Sequence, residues 1–188
     1  MLKILSKKFK PRIKARIRKN RQVLSKNFDN FFEWVKGAEL VELRECNTKE
    51  DPVRPELSNS FRTSYGRKIH GVKYKGEIHA VMCFAYTNEI PRSVEELDRL
   101  SQDAHLQSTL RGQNVGKIAI AYTVWSKKKG GGKLIVKEVF KKIKKSNHLN
   151  RLVTLSPLTD MATSFHTRNG AKLIRINENT QNFEYKVL

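Results

Sequence analysis

Lys117-Ile118-Ala119-Ile120-Ala121-Tyr122-Thr123-Val124-Trp125-Ser126-Lys127-Lys128-Lys129-Gly130-Gly131-Gly132-Lys133 is the stretch on which the fold turns. Its first nine residues are the strongest strand signal in the chain. After the glycines, Ile135, Val136, Val139, Phe140 and Ile143 recur at helical spacing, with Lys137, Lys141 and Lys145 on the opposite side. A buried strand that passes through a glycine loop into an amphipathic helix is the building unit of a layered sheet-and-helix protein. Three glycines let the backbone approach a ligand closely, and the first helical turn presents N–H groups and the positive end of the helix dipole. Lys127, Lys128, Lys129 and Lys133 add cations within the same seven residues. The spacing is too short for a phosphate-binding P-loop, and no G-x-G-x-x-G occurs. From the residues alone, a phosphate site and a lysine-rich hairpin or nucleic-acid contact both remain open.

Outward from this unit the pattern alternates. Downstream, Arg151 to Leu155 reads as a buried strand, and Thr159 or Asp160 caps a short helix over Met161, Ala162 and Phe165 that Gly170 ends. Ala171 to Ile176 and Asn182 to Val187 read as closing strands. Upstream, Arg67 to Tyr74 and Glu77 to Thr87 form a hairpin through Lys75-Gly76, the second strand apolar on both faces and therefore central. Ser93 and Glu96 make a capping box for a helix through Leu97 and Leu100. Asp51 to Tyr65 reads as loop with one helical turn, Leu40 to Glu45 as a first strand, and Asp29 as the cap of a helix bearing Phe31, Phe32, Trp34 and Val35. The order predicts an α+β fold, a mixed sheet with helices on its faces, spanning residues 27–188 behind a basic arm of residues 1–26.

The arm concentrates charge. Of a formal +20 over 188 residues, the first 26 supply eleven Lys or Arg and no acid, which leaves +9 for the other 162. Such a segment suits nucleic acid or another polyanion, an anionic membrane, an organellar address, or a solvated tail. Nucleic acid is favoured over membrane because Pro11 interrupts the apolar stripe. Cys46 and Cys83 are too few for a disulfide scaffold or a four-cysteine zinc site, and the five histidines show no metal spacing. No apolar run nears 18 residues and no secretion signal stands at the start, so a cytoplasmic protein is expected.

Two motifs carry a resemblance. Lys127-x-x-Gly130-x-Gly132 resembles the [Arg/Gln]-x-x-Gly-x-[Gly/Ala] loop of the GNAT acetyltransferase superfamily, and Ala162-Thr163-Ser164-Phe165-His166-Thr167-Arg168-Asn169-Gly170-Ala171 resembles its Ala-x-x-Leu-Tyr-x-Lys-x-Gly-Phe signature. The signature tyrosine is His166 here and the final aromatic is Ala171. Thr154-Leu155-Ser156-Pro157 and His166-x-Arg168-Asn169-Gly170-Ala171 are also similar to segments of malonyl-CoA decarboxylases, which share the fold and place a catalytic Ser and His there. Their helical N-terminal domain has no counterpart in this sequence, and the two motifs stand closer together here. Small acetyltransferase-like proteins encoded by bacteriophages show similar motifs, which would place the protein in host cytoplasm or virion.

The resemblance implies a GNAT-like acyl-CoA-binding fold with no metal. Acetyl-CoA or another acyl-CoA would lie along the strand ending at Trp125. Its pyrophosphate would sit on the loop of Lys127, Lys128, Lys129, Gly130, Gly131, Gly132 and Lys133, and its pantetheine on backbone groups of Tyr122 and Val124. N-acyl transfer to an amine would use His166 to protonate the leaving thiolate. A malonyl-CoA decarboxylase-like reaction would use Ser156 with His166. A third expectation is a catalytically inactive, nucleic-acid-associated or structural protein. Residues alone also allow Ser156 as a cap, His166 as a surface residue, and Glu77 or Glu89 as a base acting through water.

Overall fold

A computed structural model describes residues 31–185. The chain divides after Ala38 into two compact units. In the first, residues 31–37 are helical (α1), with the rings of Phe31 and Trp34 5.9 Å apart. The basic arm of residues 1–26 and the cap expected at Asp29 lie outside the described residues.

The second unit is a mixed sheet. Its elements run β1 (Glu39–Leu43), a 3-10 turn (Thr48–Glu50), α2 (Asn59–Thr63), β2 (Lys68–Tyr74), β3 (Glu77–Thr87), α3 (Val94–Arg111), β4 (Ile118–Ser126), α4 (Gly131–Lys144), β5 (Arg151–Thr154), β6 (Ser156–Pro157), α5 (Asp160–Arg168), β7 (Ala171–Ile176) and β8 (Thr180–Tyr185). Strand order is β1-β2-β3-β4-β5-β8-β6, with β7 on β8, and β4–β5 is the parallel pair. Local chemistry sets the joints. Lys75 and Gly76 both take positive φ, 50° and 86°, as a tight hairpin turn requires. The Ser93 hydroxyl accepts the Glu96 N–H, and the Glu96 carboxylate accepts the Arg92 N–H, so the capping box forms with its return bond one residue early.

One irregularity decides what β4 can do. Cys83 on β3 faces Thr123, but the next residue, Phe84, faces Ala121, so Tyr122 is an extra residue bulging from β4. Alternation therefore resets. Ile118, Ile120 and Tyr122 point to one face, and Thr123 and Trp125 join them rather than opposing them. On that face Ile118, Ile120, Tyr122 and Trp125 pack with Val81, Cys83, Val153 and Leu97 of α3. Helix α4 packs on β2, β3 and β4, and its buried Leu134, Ile135 and Val139 take no part in that cluster, which puts it on the other face.

The stretch 51–65 is loop with one helical turn, as expected, and it carries three buried charged residues, Asp51, Arg54 and Arg62. Asp51 and Arg62 are ion-paired at 2.8 Å with both side chains fully buried. The Asp51 carboxylate also accepts the Thr123 hydroxyl at 2.8 Å and the Val53 and Arg54 N–H groups. Buried charges survive only when paired and hydrogen-bonded, and this pair is both. The final strand starts two residues earlier than the pattern suggested, at Thr180.

Candidate active site

The parallel ladder between β4 and β5 ends at Ala121 and Thr154, closed by the Leu155 N–H donating to the Ala121 carbonyl at 2.9 Å. Beyond it β4 runs on to Ser126, while the other strand turns at Leu155 into the two-residue β6. The two splay, and a cleft of about 630 Å³ opens along the gap. One wall is the glycine loop and the first turn of α4; the other is Thr154, Ser156 and α5, with Tyr185 of β8.

On the loop wall, each glycine has its own reason. Gly130 is the N-cap of α4 at φ 83°, a left-handed conformation. A Cβ on Gly131 would overlap the Ser126 Oγ, and one on Gly132 would come to 3.0 Å from the Phe165 ring. The loop folds on itself: the Ser126 hydroxyl donates to the Lys128 carbonyl at 2.6 Å, and the Gly131 N–H donates there at 2.9 Å. Gly131 N–H is thus occupied internally. The N–H groups of Gly132 and Lys133 stand in the first turn, where a helix offers no acceptor of its own. Lys127 is turned to Glu50, 2.7 Å away, and the Lys128 ammonium lies over the Tyr74 ring at 4.8 Å.

On the other wall, sequence-distant residues join in one chain of hydrogen bonds. Thr159 caps α5 by accepting the Ala162 N–H, so His166 comes round to face the end of β5. His166 Nε2 is 2.8 Å from Ser156 Oγ, and its Nδ1 is 2.8 Å from the Tyr185 hydroxyl. Ser156 donates to Thr154 Oγ1 at 3.0 Å, and that oxygen also accepts the Phe183 N–H. Each hydroxyl can donate or accept; with the serine proton on Thr154, the neutral ring carries its hydrogen on Nε2 and accepts from Tyr185 at Nδ1. The imidazole stacks on Phe183, centroids 5.0 Å apart. All three residues are buried. Burial pushes the His166 pKa down to about 4, so the ring is neutral at pH 7, and it pushes the Tyr185 phenol up.

The structure therefore brings Ser156 and His166 together and adds Tyr185, which no local motif marked. Tyr185 ends a strand of ordinary composition, and only the β5–β8 pairing of Leu152 with Tyr185 carries it to the site. Arg54, equally unmarked, donates from Nε to the Tyr122 carbonyl at 2.9 Å and from Nη2 to the Leu155 carbonyl at 3.0 Å. The Tyr122 carbonyl expected to meet pantetheine is consequently engaged, and Val124 stands opposite Met82 of β3. Glu77 and Glu89, candidate bases from their place at the strand ends, do not line the cleft. Among the described residues its lining carries Lys127, Lys128, Lys129, Lys133 and Arg168 but no carboxylate side chain. Among the described residues, no three His, Cys, Asp or Glu side chains gather as a metal would require, and no helix is long and apolar enough to cross a membrane.

No protein-family model and no curated protein matches the chain. Solved structures do. GphF, a GNAT-like decarboxylase in complex with isobutyryl-CoA, superposes with a TM-score of 0.61 over 78% of this chain and 98% of its own, at 11% identity. The fold is GNAT-like. A Bacillus subtilis acetyltransferase in complex with CoA (0.53, 12% identity, 80% and 99% covered) and the GNAT domain of S. lividans PAT (0.53, 12%, 80% and 90%) share it. Identity this low speaks for the GNAT-like fold, in which the splayed strands, the glycine loop and the helix after it form one cleft.

Proposed function

We propose that the cleft binds an acyl-CoA thioester and that Ser156 and His166 act on its acyl group by removing carbon dioxide from a malonyl-type thioester. One observation carries this reading: a buried, neutral Ser–His pair in a cleft lined by cations and, among the described residues, by no carboxylate side chain. The CoA phosphates would meet the Gly132 and Lys133 N–H groups and the loop lysines. The acyl carboxylate would be drawn in by the same positive field and lose its water in a cleft that is largely apolar.

The C–C bond to the carboxylate then breaks, its electron pair passing into the thioester to give carbon dioxide and an enolate. The α-carbon takes the Ser156 proton. Ser156 is resupplied by His166 Nε2–H, and His166 in turn by the Tyr185 hydroxyl; a proton from water restores the relay. The sum is malonyl-CoA plus a proton giving acetyl-CoA and carbon dioxide.

Acyl transfer to an amine is the second reading, favoured by the acetyltransferases and the GNAT domain that share the fold. It would need His166 as the proton donor to the thiolate and a group that holds an ammonium. A neutral imidazole is a far weaker acid toward a weakly basic thiolate than an imidazolium would be, and among the described residues the lining supplies no anion for the amine. The test is product analysis with malonyl-CoA, methylmalonyl-CoA, and acetyl-CoA plus a panel of primary amines. Acetyl-CoA and carbon dioxide from malonyl-CoA, abolished in Ser156→Ala, are the expected products. Acylated amine without carbon dioxide release would overturn the decarboxylase reading in favour of transfer.

A further inference from the structure

We propose that Arg54 is a positioning residue that sets the width of the gap between β4 and β5, and so governs entry of the pantetheine arm. This rests on the acyl-CoA reading above. Where two parallel strands part, the ladder stops and carbonyls on both sides lose their partners; left buried and unpaired, each costs free energy comparable to a lost hydrogen bond. Here the last rung is Leu155 N–H to Ala121 carbonyl, and the next two carbonyls, Tyr122 and Leu155, are the ones that Arg54 takes. One planar guanidinium thus holds one carbonyl from each strand, from positions 68 and 101 residues away in sequence. A guanidinium presents its donors in a rigid fork, so the separation of its two acceptors is fixed by covalent geometry; a lysine ammonium offers no such spacing.

The fork is itself braced. The Arg54 N–H donates to Asp51 Oδ1 at 3.1 Å and its carbonyl accepts from Arg62 Nη2 at 2.7 Å. Asp51 is tied to β4 just past the bulge through the Thr123 hydroxyl. The bulge at Tyr122 turns that hydroxyl toward the same face as the brace, which links the irregularity of β4 to its clamp. The carboxylate of Asp51 pairs with Arg62, and among the described residues no carboxylate forms a salt bridge with the Arg54 side chain. Arg54 is 8% exposed, and its guanidinium is directed to the two backbone oxygens.

The experiment compares wild type, Arg54→Met and Arg54→Lys by backbone hydrogen exchange and by calorimetry. The two probes are CoA and its 3′-phospho-ADP half, which lacks the pantetheine. Without the fork, amides of residues 122–124 and 155–156 should exchange about tenfold faster or more, while those of α3 hold their rates. Affinity for CoA should fall about tenfold, affinity for 3′-phospho-ADP should stay within about twofold, and Arg54→Lys should fall between. Unchanged exchange at the gap overturns the clamp, and so does an equal loss of both ligands alongside faster exchange everywhere, which would mark Arg54 as a general stabiliser. Should Arg54→Met not fold, Arg54→Lys carries the same comparison. Wild type that binds neither probe would instead overturn the acyl-CoA reading, and exchange would still decide the clamp.

Discussion

The two walls of the cleft work by opposite means. The loop wall is wet and charged, with glycines where side chains would collide and lysines around them. The Ser156–His166–Tyr185 wall is dry and neutral, and each of its polar groups is spoken for. Charge in solvent attracts an anion over a distance but is screened by salt and gives little precision. Hydrogen bonds in a desolvated site hold single atoms in place and cost free energy if any member is missing. On the proposed reading, binding belongs to the first wall and chemistry to the second, and mutations should separate them.

The largest effect is expected on the dry wall. His166→Phe and Ser156→Ala should each lower turnover on the true thioester by about a hundredfold or more, with CoA affinity within about twofold of wild type. Equal turnover in His166→Phe would reduce the histidine to a packing residue. The next effect belongs to the loop. Gly131→Ala places a methyl group on the Ser126 hydroxyl and 3.3 Å from the Ala80 Cβ, so either that hydroxyl leaves the Lys128 carbonyl and loosens the loop or the start of α4 shifts. CoA affinity should fall about tenfold while the turnover of saturated enzyme stays nearly constant. A change in turnover at constant affinity would reverse the assignment of the walls.

Acid should act through the dry side of the molecule. His166 is held down to about 4 by burial, and His70 likewise, by burial first and then by the Lys142 ammonium 2.6 Å from its Nε2. Above pH 6.5 neither the folded nor the unfolded chain protonates these rings, and they contribute no pH dependence. Between 6.5 and about 4 the unfolded chain alone gains the proton, so stability declines as pH falls; below 4 the loss levels off. Each ring is worth about 3 kcal/mol across that range. Urea midpoints measured from pH 7 to pH 4 should fall, and His70→Leu should remove about half of the drop. A flat profile would mean that neither ring is held neutral. The smallest effect is Tyr185→Phe, which leaves Ser156 and His166 in place but frees the Nδ1 lone pair, so turnover should fall about fivefold to tenfold. Wild-type turnover in Tyr185→Phe would remove the phenol from the relay and leave water to supply His166 directly.

Much of this was readable in advance, and the gaps share a character. The hairpin at Lys75-Gly76, the Ser93 cap, the glycine loop and the helix after it follow from residues within a turn or two of each other. Ser156 and His166 were marked by the motif resemblance, whereas residues alone left open the serine as a cap and the histidine on a helix surface. The loop and single helical turn of 51–65 were legible, but the burial of Asp51, Arg54 and Arg62 was not, because these residue types ordinarily stay in water and only partners elsewhere in the chain make their burial tolerable. Tyr185 was passed over because nothing in its neighbours distinguishes it from any strand aromatic.

The sequence by itself determined the order of elements and the loop that can approach an anion, since propensity, capping and periodicity act over a few residues; Ser156 and His166 stood out through a motif resemblance. Tertiary structure decided the rest. The bulge at Tyr122, the fork of Arg54 across the parting strands, the hydrogen bond from Tyr185 and the neutrality of His166 all depend on which distant segments pack together and exclude water. Pairing and desolvation are properties of the assembled interior, and no short stretch of chain carries them alone.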